Sequence, residues 1–152
     1  MNCTRGVTLN CAILVALASA ACNPKALSSD ARAGADKAAD SLQRAWEYRD
    51  ESRVLYELRL MDAEKAVGEM PGTDQPTRWT GGPNPDWEVS QKANACLLEL
   101  KTYRSLLELA NLQNDAIRLS GRDSGELKNT ISRAYTAASD TRMCIKDVRM
   151  WP

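Results

Sequence analysis

Apolar positions recur in alternating steps of four and three through the second half of the chain. Val89, Ala93, Cys96, Leu100, Tyr103, Leu107, Ala110, Asn114 and Ile117 keep this spacing, and only Asn114 breaks the apolar run. That period places the whole series on one stripe of a helix packed as in a coiled coil. Leu97, Leu106 and Leu109 widen the stripe, as contact with two neighbours requires. The spacing predicts a helix ending near Ser120-Gly121. A second series, Leu127, Ile131, Ala134, Ala138, Thr141, Ile145 and Val148, predicts another helix, with Ser124 as a start signal. Between residues 31 and about 70 there is no Pro, and Ala35, Ala38, Leu42, Trp46, Leu58 and Met61 share much of one helical face. We read one long helix there, bent or interrupted near its middle. Ser28, Ser29 or Asp30 caps its start, and Pro71-Gly72 stops it. No strand pattern competes. The expected fold class is all-α: an antiparallel three-helix bundle with one long Pro/Gly-rich loop and one short connection.

The long loop, residues 71–87, reads PGTDQPTRWTGGPNPDW. It holds four of the six prolines, three of the eight glycines and two of the four tryptophans. Loops of this length inside a domain are uncommon and are often functional. Arg78 and Trp79 near its middle are candidate partner-binding residues. Trp87 abuts the next helix and is expected to pack.

Composition narrows the chemistry. Lys plus Arg and Asp plus Glu each number 20, so no net charge directs the chain toward nucleic acid. There is no His, which removes the commonest general base and the commonest metal ligand. No Gly-rich phosphate loop and no metal-ligand cluster stands out. No cofactor and no catalytic activity are expected.

The first residues read as an export signal: Arg5, then the apolar run VTLNCAILVALASAAC. Ala18-Ser19-Ala20 suits ordinary signal cleavage. Ser19-Ala20-Ala21-Cys22 resembles a lipobox, with Ser19 where Leu is usual, and would make Cys22 a lipidated N-terminus. Cysteine counting separates the two cuts. Cys3 and Cys11 leave under either, so Cys22, Cys96 and Cys144 remain. Lipidation of Cys22 leaves an even pair, Cys96 and Cys144, free to bridge in an oxidising compartment. Their midpoint, residue 120, lies close to the turn between the last two helices, so the two face each other across an antiparallel pair. The expected organisation is a signal peptide over 1–21, a tether over 22–30 after lipidated Cys22, and a helical bundle domain over 31–152. The expected location is the periplasmic face of the outer membrane as a lipoprotein, with soluble periplasmic protein as the alternative. Removing Arg5 leaves 19 basic and 20 acidic residues, a net charge of −1, which favours no class of partner.

The stretch LQRAWEYRDES, residues 42–52, sets an indole one helical turn before an Arg-Asp pair. Trp46 would lie over Arg49 and Asp50 at i+3 and i+4, with Arg49 free to hold a carboxylate. On these residues alone an amphipathic edge is expected, with Trp46 packed inward and the charges reaching out.

Taken with ANACLLELKTYRSLLEL, residues 93–109, this stretch resembles the LprI-type lysozyme-inhibitor domain family of bacterial envelope proteins. The matching positions are Gln43, Arg44, Trp46, Tyr48, Arg49 and Asp50, then Ala95, Cys96, Leu97, Leu100, Thr102, Arg104 and Leu107. The resemblance covers residues 40 to 110. Family members usually carry Cys where this chain has Ser52, so Cys144 is expected to replace that residue as the partner of Cys96. The resemblance implies a binding protein that blocks lysozyme or a related muramidase. Candidate contact residues are Arg78, Trp79, Trp46, Arg49 and Asp50. Two other readings stay open. One is a lipid-anchored docking module of an envelope or secretion complex, with an exposed apolar stripe formed by Leu55, Leu60, Leu98 and Leu106. The other is an immunity protein against a cell-wall toxin. In all three the partner is a protein, lysozyme being the first candidate, and the membrane is reached through Cys22.

Overall fold

The computed structural model describes residues 26–72, 83–123 and 125–152. Its fold is all-α. Among the described residues there are four helices: α1 (Ser29–Glu47), α2 (Arg53–Gly68), α3 (Pro85–Ser120) and α4 (Glu126–Arg149). The expected three-helix count is corrected, because the long first helix is two helices. α1 ends at Glu47, and its last carbonyls are taken up by tight turns. Tyr48 N–H donates to Arg44 O at 3.1 Å and Arg49 N–H to Trp46 O at 3.3 Å. Ser52 then caps α2, its hydroxyl accepting from Leu55 N–H at 3.1 Å. The break also changes the phase of the apolar pattern. Leu58 and Met61, expected on the buried face, are 52% and 63% exposed. Tyr56, Ala63, Ala66 and Val67 face inward instead.

Local signals set the other ends. Ser28 caps α1 by accepting from Ala31 N–H at 3.2 Å. Asn84 caps α3, and Pro85 stands at the first position, where its missing N–H is no loss. Gly121, at φ 67°, closes α3 in the left-handed conformation and donates to Ile117 O at 2.8 Å. α4 starts after Gly125, at φ 76°, which makes no side-chain cap bond. Ser124 lies outside the described residues.

Two contacts tie α3 to α4 with opposite chain directions. Cys96 is bonded to Cys144, with Cα atoms 5.5 Å apart. Lys92 meets Asp147 at 3.1 Å, and both pairs are centred near residue 120. The bridge expected from the cysteine count is therefore present. α1 joins α4 through Asp40 and Arg149 at 2.7 Å, and joins the end of α2 through Lys37 and Glu69 at 2.6 Å. Ala35, Ala38, Ala39, Leu42 and Ala45 bury a smooth alanine-rich face that lets the helices approach closely.

Among the described residues, Tyr56 is the largest fully buried side chain. Its hydroxyl donates to Leu100 O at 3.2 Å, bridging α2 to α3. Burial pushes its pKa up to about 12, and the Arg104 guanidinium opposes that rise only in part. The unfolded chain gives up this proton near pH 10, while the folded chain keeps it. Stability from Tyr56 is therefore full below pH 10 and is lost as pH rises toward 12, by about 3 kcal/mol in all. Tyr56→Phe is expected to flatten that alkaline loss and to cost about 1 kcal/mol at pH 7. Urea melts of both proteins at pH 7, 9, 10 and 11 check this. Parallel decline of the two proteins would place the alkaline transition elsewhere.

Candidate functional site

The helices differ in reach. α1 has 19 residues and α3 has 36, or roughly 28 Å against 54 Å at 1.5 Å per residue. Where α1 stops at Trp46 and Glu47, α3 and α4 continue as a two-helix hairpin. The main core lies below this level and includes Leu42, Trp46, Tyr56, Val67, Leu100 and Ile145. Above it is only a small cluster of Leu106, Ala134 and Ala137, with Tyr103 and Leu107 against it.

The apolar stripes behave accordingly. On α3 the expected seam is buried at Val89, Ala93, Cys96, Leu100 and Ala110 and half-buried at Tyr103 and Leu107, after which Asn114 is exposed and Ile117 half-buried. On α4 the expected seam holds at Ala134, Thr141, Ile145 and Val148 and departs toward its start, with Ala138 half-buried. Thr130, Ala134, Ala137, Thr141, Cys144 and Val148 are buried, whereas Ile131 is 41% exposed and Leu127 only half-buried. The physical reason is the short α1: among the described residues no third helix covers the outer side of the hairpin. Of the expected exposed stripe, Leu55 and Leu98 are exposed. Leu106 is buried and Leu60 packs against the core, which corrects those two positions.

A groove of about 610 Å³ opens at this shoulder. Trp46 and Tyr103 form its lower end, with ring centroids 5.2 Å apart and planes tilted by 50°. Leu107 lines the α3 wall, and Ala134 and Ala138 line the α4 wall. The hollow exists because α4 presents methyl groups where larger side chains would fill the space. Two arginines, Arg49 and Arg142, belong to its lining, and no Asp or Glu among the described residues does. The volume lies within the range of small-ligand and peptide-anchor pockets.

Arg49 is held closely. Its guanidinium carbon lies 4.0 Å from the centroid of the Trp46 ring. One terminal nitrogen donates to Trp46 O at 2.9 Å, and the other meets the Asp50 carboxylate at 2.8 Å. The expected stacking and the Arg-Asp pair are thus both present, though on a turn rather than on a continuous helix. Asp50 is exposed and does not line the groove. Arg142 is exposed and has no carboxylate partner among the described residues.

Among the expected site residues, Trp46 and Arg49 come together in this groove, and Cys96 and Cys144 are bonded below it. Cys22, Arg78 and Trp79 lie outside the described residues. Trp87 is half-buried on the first turn of α3. Arg142, Tyr135 and Ala138 are further groove-lining residues that no sequence motif marks. Ala138 falls on the expected packing seam of α4, and the two others carry no local pattern that marks them. Among the described residues, no group of three His, Cys, Asp or Glu side chains could hold a metal ion, and no helix is long and apolar enough to cross a membrane. No protein-family model, curated protein or solved structure matches this chain.

Proposed function

We propose that this chain is a non-catalytic binding protein of the bacterial envelope, anchored by lipid at Cys22, that docks a protein partner in the groove beside Trp46. One observation carries the reading: a preformed groove with an aromatic floor, apolar walls and arginines of one sign of charge. Buried aromatics and arginine are the side chains that most often anchor protein partners. Trp46, Arg49 and Leu107, which carry part of the resemblance to the lysozyme-inhibitor domains, all line it. That resemblance makes lysozyme or a related muramidase the first partner to test.

Soluble, oxidised protein spanning residues 23–152 is titrated into assays of several lysozyme types. Inhibition that saturates at an equimolar ratio is the expected result. A folded, bridged protein that inhibits none of them removes lysozyme as the partner. The docking-module reading then leads, favoured by the exposed Val54, Leu58 and Met61 on the outer face of α2. An immunity protein against a cell-wall toxin is the remaining member of the same class.

A further inference from the structure

We propose that the groove takes an amphipathic helix of a partner protein, seated as a continuation of α1 and carrying a carboxylate at the end nearest Arg49 and Arg142. This rests on the docking reading above and specifies the chemistry of the partner. Below Trp46, the α3–α4 pair is covered by α1. Above Trp46, the same pair continues with no cover from the described residues, and its apolar stripe remains half open. The geometry that seats α1 therefore extends past the end of α1. Packed helices lie about 8–10 Å apart, the spacing that small wall residues such as Ala134 and Ala138 permit. A helix laid there would bring its own apolar stripe against Leu107 and Ile131, in the helix-in-groove manner.

Charge selects among the occupants. Arg49 and Arg142 line the groove without a carboxylate beside them in its lining. Asp50 neutralises Arg49 from outside, while Arg142 is uncompensated among the described residues. Both belong to the α1 end: Arg49 stacks on Trp46, and Arg142 precedes the bridging Cys144 by two positions. Guanidinium forks favour carboxylates. A second copy docked about a two-fold axis would bring the same arginine-bearing faces together, which opposes self-docking.

The probe is a labelled amphipathic peptide of roughly 15 residues with a leucine stripe and a Glu in its first turn, beside a twin with Lys in that place. Binding to the oxidised 23–152 protein is read by fluorescence polarisation. The Glu peptide is expected to saturate, with the Lys twin at least about tenfold weaker. Arg142→Glu is expected to invert that order. Arg142 is exposed, so the variant should melt with the parent protein.

Equal binding of the two peptides, or no saturation of either, overturns the proposal. So does displacement of the Glu peptide by myristate, which would make the groove a lipid site. A dimer in sedimentation equilibrium that the peptide cannot dissociate would give the groove to a second copy. A photo-crosslinker in place of exposed Tyr135, used in cells, separates the two levels. A protein adduct without acidic-helix selectivity leaves docking standing and sinks the acidic helix. Absence of both sinks both.

Discussion

Replacing Cys96 and Cys144 together by alanine is expected to lower stability by about 4 kcal/mol. The bridge joins residues 48 apart, and closing a loop of that length removes unfolded-state entropy of this order. For a helical domain of this size, the melting temperature should fall by about 10–20 °C. The loss should also be uneven. The bridge lies within the covered part of α3–α4, below the hairpin, and the hairpin's own core among the described residues is Leu106, Ala134 and Ala137 with two partial neighbours. Hydrogen exchange should therefore quicken first above residue 106 on α3 and below residue 137 on α4. Thermal melts with and without reductant, a thiol count under denaturant and residue-level exchange check the three parts. Two free thiols in the oxidised 23–152 protein, or a melt indifferent to reductant, would remove the bridge from the account.

Trp46→Ala should cost about 3–5 kcal/mol, the range for deleting a large buried aromatic. Trp46 is 7% exposed, packs at a tilt on Tyr103 and supports the Arg49 guanidinium on its face. Arg49→Ala should cost far less, about 1–2 kcal/mol. It removes a cation–π contact and a partly exposed ion pair, each worth about 1 kcal/mol or below. Denaturant melts of both variants answer the question raised by the stretch WEYRD. A large loss for Trp46 and a small one for Arg49 makes the indole a packing residue and leaves the guanidinium free to serve a partner. A Trp46→Ala protein as stable as the parent would mean that the ring is held for contact and not for the core.

Part of the candidate site was legible in the chain. Trp46 and Arg49 are three positions apart, a spacing that brings the two together on a helix, and the turn that replaces the helix here keeps the guanidinium on the indole. The remainder of the groove was not legible. Ala134, Ala138, Tyr135 and Arg142 belong to α4, more than 80 positions from Trp46 in sequence, and nothing local marks an alanine as the wall of a cavity. Leu58 and Met61 fell on the wrong face because one periodicity was carried across residues 48–52. Ser52 ahead of an apolar stretch was the available sign that the helix restarts.

The amino-acid order by itself determined that the chain is helical, that α1 begins within Ser28–Asp30, that α3 ends near Gly121, and that Cys96 faces Cys144. These follow from interactions within a few residues, or from the symmetry of a hairpin about its turn. Only the tertiary structure decided which part of each apolar stripe is covered. A periodic stripe states which side of a helix is apolar, but burial depends on a neighbour of matching length. α1 ends at Glu47 while α3 runs on to Ser120, and that difference in length leaves the groove open.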